Sequence, residues 1–346
     1  MIGWMVNMTT YFISGGLGFL GQYIVKAIHD HDPEAELRIL VRTQRKTFLG
    51  VENLGRVRQV HGDLLEPETY IEALQGVDFI VHPAAMVSFR KSEAEAVFRA
   101  NVIGTRNLMQ SALEAGCGNF IFISSISAVD FRPPQIADET MVPNLEDKRL
   151  NDTYGYTKLV SEMELREHAE EMRVIILNPS VILGPGSKEV DKVAGILRFL
   201  PVIPIIEYIN SFVDVRDVAR AVVLALTKGR SGERYIVTAT NVGMIEFVKT
   251  VLRIMEKKAL IVPLSNWGIK FFDGVLQALD KVGFSPGVRS LAQMNIDKAC
   301  STDKIREEMG WEPTFSLEQS IRASAFPEKE KMSAADRTDI KDWKEK

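Results

Sequence analysis

A tyrosine and a lysine four residues apart, Tyr154 and Lys158, open a stretch with helical spacing, so their side chains leave one face a single turn apart. A phenol with a reference pKa of about 10 carries protons poorly at neutral pH. An ammonium beside it favours the phenolate and lowers that value. The pair thus suits general acid–base work: Tyr154 gives a proton to a carbonyl oxygen, or takes one from an alcohol. Such catalysis typically contributes about 10²–10⁴-fold. Tyr156 is the rival phenol, but it lies two residues from Lys158 and faces elsewhere. Upstream, Phe120 to Ile123 reads as a buried strand that ends on Ser124 and Ser125. Open parallel sheets bind ligands at strand C-terminal ends. Ser125 is the candidate to orient the substrate oxygen beside Tyr154. Ser124 and Ser127 compete for that role, and a plain turn cap is the structural alternative.

Near the N-terminus, Gly15, Gly18 and Gly21 fall three apart in Ser14-Gly15-Gly16-Leu17-Gly18-Phe19-Leu20-Gly21. A short apolar strand, Tyr11 to Ile13, precedes them, and a helical stretch, Phe19 to His29, follows. That context makes the loop a dinucleotide cradle: a tight turn, a close backbone approach to pyrophosphate, and a helix start with free N–H groups. An acidic residue closing the second strand would suit the ribose of NAD. Leu37 to Val41 instead runs into Arg42, with Arg45 and Lys46 beyond. Guanidinium and ammonium groups there suit a 2′-phosphate, so NADP is expected, with NAD as the alternative. Asp30 and Asp32 are acidic at about the right distance but precede the strand.

The elements that must position these groups alternate. Strands are expected at Tyr11–Ile13, Leu37–Val41, 57–61, Phe79–Val81, Phe120–Ile123, Val174–Leu177 and Tyr235–Val237. Helices are expected at Phe19–His29, Asn101–Ala115 and Tyr154–Glu171, and Val213–Leu226 reads as a strand end entering a helix. This is an α/β pattern, a Rossmann-type doubly wound parallel sheet covered on both faces. After Pro179 the pattern loosens into a smaller, mostly helical substrate lobe. The expected division is 8–178 for the nucleotide domain, with 210–240 returning to it, and 179–209 plus 241–325 for the lobe. The tail, 326–346, is charged and poor in apolar residues.

Bulk properties narrow the classes. A net charge of −4 gives no basic face for nucleic acid. Cys117 and Cys300 have no paired spacing, and His29, His31, His61, His82 and His168 are scattered, so neither a disulfide framework nor a metal site is expected. His82 is read as a strand-end residue near the cofactor. The first ten residues lack a secretory pattern, and a cytoplasmic protein is the simple reading. The most apolar segments, 193–209 and 259–279, are broken by Pro201, Pro204, Pro263 and Gly268, so no membrane span is expected. They read as cover for a substrate pocket, with contact to a membrane surface or a lipid-like substrate as the alternative.

Together the motifs resemble the extended short-chain dehydrogenase/reductase family, from about Thr9 to about Ser324. They are the glycine loop, Gly62-Asp63-Leu64, His82-Pro83-Ala84-Ala85, Asn101-Val102-Ile103-Gly104-Thr105, Ser124-Ser125, Tyr154-x-x-x-Lys158, Asn178 through Pro185 and Phe212 through Ala219. The resemblance implies that Phe19 and Leu20 lie along the cofactor with the glycines. It puts Asp63 and Leu64 along the adenine, Ala84 and Ala85 at the cofactor's centre, Lys158 on the nicotinamide ribose and Pro179 near the nicotinamide. Asn101 matches a position that supports the active-site geometry. From the residues alone, Asp63 is equally a turn residue and Asn101 a helix cap. Sugar-nucleotide epimerases and dehydratases of the family usually carry an Asn where this chain has Val181. With Met86 and Phe89, Val181 gives the substrate side an apolar cast. The pattern is closest to the dihydroflavonol-reductase and 3-beta-hydroxysteroid-dehydrogenase branches. Hydride transfer on a hydrophobic ketone or alcohol is the leading expectation. A nucleotide-sugar epimerase or dehydratase, and a cofactor-sensing regulator without turnover, are the alternatives. The family also implies a homodimer through the helices at 101–115 and 154–171.

Overall fold

A strand covered on both faces has no solvent side to mark with polar residues, so central parallel strands read as unbroken apolar runs. β1 (Thr10–Ser14), β4 (Phe79–His82), β5 (Asn119–Ile123) and β6 (Arg173–Pro179) are accordingly almost wholly buried. The edge strand β3 (Val57–His61) instead leaves Arg58 and His61 exposed. With β2 (Glu36–Val41) and β10 (Glu233–Val237) they make a seven-stranded, all-parallel sheet in the order β10-β6-β5-β4-β1-β2-β3. The computed structural model describes residues 8–88, 90–145, 153–265, 268, 274 and 296–325. Phe89 and the tail 326–346 lie outside these, as does most of the apolar segment 259–279.

Side chains alternate across each strand, so the sheet has two cores. On one face α1 (Phe19–His31) and α6 (Val215–Lys228) bury Ile24, Ile28, Val218 and Val222 against Ile13, Ile39 and Ile121. On the other, α3 (Gly104–Glu114) and α4 (Thr153–Glu167) bury Leu108, Met109 and Leu165 against Phe12, Ile80, Phe120 and Phe122. The short α2 (Ala94–Phe98) enters α3 through a widened π turn, Arg99–Ile103. α4 stops at Glu167 and not at the expected Glu171. The amides of His168 and Ala169 donate to Leu165 and Arg166, three residues back, and tighten the last turn.

The lobe beyond β6 carries two small sheets besides its helices. β7 (Val181–Leu183), β9 (Ile209–Asp214) and β11 (Thr240–Gly243) form one, and β8 (Val202–Ile205) pairs in parallel with β12 (Leu260–Pro263). These strands are three to six residues long and pair with segments distant in sequence, so local alternation does not announce them. α5 (Lys188–Leu197), α7 (Met244–Ile254) and α9 (Leu317–Ala325) close the lobe core, where Phe212 stacks on Phe247 at 4.7 Å. The segment 193–209 is divided between the end of α5, a turn, β8 and a loop that reaches the first residue of β9. No described helix is long and apolar enough to cross a membrane. α8 (Asp303–Met309) and Trp311, which the sequence reading assigns to the lobe, pack in the core of α1 and α6.

Candidate active site

The sheet order reverses between β1 and β4, which opens a crevice at their C-terminal ends. Gly15 lines it with φ +72°, and a Cβ there would lie 2.8 Å from the Cα of Ala84. Gly21 sits tighter still: its Cβ would lie 2.0 Å from the Gly15 carbonyl oxygen. Both positions therefore require glycine for the loop and α1 to seat. α1 begins with no side-chain cap at Gly18 and no acidic residue in its first turn, where Phe19 and Leu20 are half-buried. Its free N–H groups thus face the crevice, a cradle that fits a pyrophosphate. Arg42, Arg45 and Lys46 are exposed just past β2. Arg45 donates to the Leu17 carbonyl at 2.6 Å, which ties this basic stretch to the glycine loop. Asp63 accepts from the Leu65 amide at 2.9 Å, so its carboxylate has the turn role open to it from the sequence. Leu64 follows half-buried, its carbonyl accepting from Asn107 at 3.0 Å on α3.

Two buried polar relays hold the crevice in shape. In the first, the Thr105 hydroxyl donates to the Asn101 carbonyl, so it accepts from His82 Nε2, at 2.8 Å. His82 Nδ1 is then the acceptor for the Ser14 hydroxyl. Burial, aided by the charge of Lys158, pulls the imidazole down to about 3, and the ring stays neutral. His82 thus fastens β1 and β4 to the π turn, a larger role than a strand end. In the second relay, Asn101 grips Met86 twice, accepting from its amide at 2.8 Å and donating to its carbonyl at 3.0 Å. The Asn101 amide also reaches the Thr157 hydroxyl at 3.1 Å, which donates to the Tyr154 carbonyl at 2.8 Å. The π turn therefore joins the loop after β4, with Ala84, Ala85 and Met86, to the first turn of α4. Phe89 falls outside the described residues.

Tyr154 is half-buried in that first turn, and Lys158 is 2 % exposed one turn on. The Lys158 ammonium donates to the Ile123 carbonyl at 2.7 Å, at the C-terminal end of β5, and lies 4.5 Å from the centre of the Phe122 ring. Burial brings it down to about 7, partly opposed by the charge of Glu162. Of the three candidate serines, Ser124 is turned inward, its hydroxyl donating to Glu162. Ser125 and Ser127 are half-buried. The Ser125 oxygen accepts from the Ser127 amide at 3.1 Å and caps the turn Ile126–Ala128, which leaves its O–H free to donate. Pro179 is the buried last residue of β6, and Val181, two further on, is half-buried against the lobe core. Glu162 and Arg234, which the sequence does not single out, and Asn178, which it marks only as the start of a motif, lie buried beneath this site. The available signal was the continuation of the polar stripe from Tyr154 through Lys158 to Glu162, each four apart.

Comparison with known proteins bears on the family and the fold. The family model described as "NAD dependent epimerase/dehydratase family" matches residues 11–243. The sterol demethylase protein B of Methylococcus capsulatus is 30% identical, the match covering 89% of this chain and 94% of that protein. The 3-beta-hydroxysteroid dehydrogenase of Mycolicibacterium neoaurum is 24% identical, with 89% and 88% covered. The solved UDP-glucose 4-epimerase of Thermotoga maritima superposes with a TM-score of 0.72 at 20% identity, covering 94% of this chain and all of that one, a likeness of fold. The resemblance to extended short-chain dehydrogenases/reductases is borne out, and the chain belongs to the NAD-dependent epimerase/dehydratase family.

Proposed function

We propose that this protein is an NADP-dependent oxidoreductase acting on a carbonyl or secondary alcohol of a hydrophobic small molecule. The observation that carries the reading is the Lys158 ammonium. It is buried against the Ile123 carbonyl one helical turn from Tyr154, at the strand end that bears Ser125. When bound, the nicotinamide supplies or accepts the hydride. In the reducing direction the Tyr154 phenol gives its proton to the substrate oxygen, and in the oxidising direction it takes that proton. Lys158 stabilises the phenolate that remains and holds the cofactor ribose. Ser125 donates a hydrogen bond to the same substrate oxygen. Arg42, Arg45 and Lys46 favour a 2′-phosphate over a bare ribose. Met86 and Val181 supply apolar contact for the substrate, in keeping with relatives whose names specify sterol and hydroxysteroid chemistry.

The test pairs purified protein and NADPH with ketosteroids, flavonoid ketones and UDP-sugars, following nicotinamide absorbance and product. NADPH should be consumed with the apolar ketones, and Tyr154→Phe should reduce kcat about 10²–10⁴-fold. Arg42→Ala should weaken NADPH more than NADH. Interconversion of a UDP-sugar without net NADPH consumption would replace this reading with epimerisation.

A further inference from the structure

Beneath the turn that carries Ser125 lies a buried cluster that the proton-transfer scheme does not use. Glu162, one turn beyond Lys158 on α4, is 1% exposed, and so is Arg234 on β10. One Glu162 oxygen accepts from the Ser124 hydroxyl and, at 2.6 Å, from the Asn178 amide on β6. The other pairs with Arg234 at 3.2 Å. Each partner then reaches the Ser125 turn. Asn178 donates to the Ser125 carbonyl at 3.0 Å, and Arg234 donates to the Ala128 carbonyl at 3.4 Å. The two ends of the Ile126–Ala128 turn are thus pinned through one carboxylate.

We propose that Glu162 is a positioning residue: through Asn178 and Arg234 it fixes the turn that presents Ser125, and it supplies the negative charge that Lys158 faces from its own helix. Desolvating an ion pair costs more than filling the same space with apolar residues, so this pair is a poor device for stability alone. Its position between two groups of the site gives it a different use. The groups that face Lys158 are Glu162 on α4, His82 on β4, and the Ile123 carbonyl and Phe122 ring on β5, with Tyr154 one turn before it on α4. Of these, Glu162 is the anionic one, and Arg234 faces it from β10. Removing the carboxylate charge removes support for the ammonium, while cutting the Asn178 link releases the turn and leaves the charge in place.

The inference rests on the Tyr154–Lys158 reading, and the test separates the two. In Glu162→Gln, the Lys158 titration, followed by the ¹³Cε resonance of labelled lysine, should move down by about one pH unit. The kcat should fall about 10–100-fold with KM changed by less than about threefold. In Asn178→Leu, which retains the ion pair, kcat should fall about tenfold with the Lys158 titration unmoved. A lower Tm with wild-type kcat and an unmoved titration in Glu162→Gln overturns the proposal. If Glu162→Gln does not fold, wild-type kcat in Asn178→Leu overturns the pinning of the turn. A wild-type protein inert towards every substrate would sink the oxidoreductase reading by itself, and the titration shift would still decide the role of Glu162.

Discussion

Lys158 sits where its charge is useful and expensive. Burial brings its ammonium to about 7 from an ordinary value of 10.5. Between about pH 7 and 10.5 the unfolded chain therefore binds more protons than the folded one, so this residue's contribution to stability improves as pH rises through that window. Below about 7 both states are protonated and the full cost of burial remains. Lys158→Met should thus lower kcat about 10²–10⁴-fold yet leave stability at pH 6 unchanged or higher, as urea denaturation reports. Wild-type turnover in the reducing direction should decline as pH rises past about 7, with the loss of the ammonium. His82 acts in another window. Its ring is held at about 3 against an ordinary 6.5, so the unfolded chain takes up the extra proton between these values, and stability is lost as pH falls from about 6.5 towards 3. A His82→Gln variant should show a shallower acid decline of Tm over that range. Tyr154 and Lys158 were legible because both lie on one helical turn. Glu162, Arg234 and the relay role of His82 were not, because their partners arrive from β1, α3, the turn after β5, β6 and β10, up to 106 residues away.

At the scale of elements, the junction of β1 and α1 is decided by contacts that exclude a single methyl group. Gly21→Ala would drive a Cβ to 2.0 Å from the Gly15 carbonyl, and the helix must shift off the loop. NADPH affinity should fall at least about tenfold, measured by fluorescence titration, together with a lower Tm. Gly18→Ala meets the same oxygen at 3.1 Å and should be milder. The π turn is the other sensitive junction. Asn101→Ala removes both bonds to Met86 and the link to Thr157, so the loop after β4 loosens from α4. The central sheet strands were readable because they are compact apolar runs between turn signals, whereas the edge strand β3 alternates apolar and polar residues. The lobe strands were not: β7, β8 and β11 have three or four residues each and owe their form to pairing with β9 and β12. The π turn left no trace either, since its residues carry ordinary helical periodicity, and the three side-chain bonds of Asn101 reach Met86 and Thr157, 15 and 56 residues away.

For the whole molecule, the notable contact is the return of the segment 303–315 to the helices α1 and α6. Trp311 is fully buried among residues of α1 and α6, and its indole N–H donates to the Asp217 carbonyl at 3.0 Å. The Asp217 carboxylate accepts from the Thr314 and Phe315 amides and pairs with Arg220. Trp311→Ala should therefore cost about 3–5 kcal/mol by urea denaturation, although the residue lies far from the crevice in sequence. The sequence alone gave this residue no role, because nothing local marks which core a tryptophan near the end of a chain will enter.

The latch between Trp311 and Asp217 bears on how the protein is made. The ribosome delivers the glycine loop and all seven strands before it delivers the piece that seals their helical cover. Until that piece emerges, the apolar surface of α1 and α6 that Trp311 covers has no cover from this segment. A cleavage or premature stop ahead of residue 311 would leave that surface uncovered for good, and the fragment should aggregate and not persist as a smaller cofactor-binding protein.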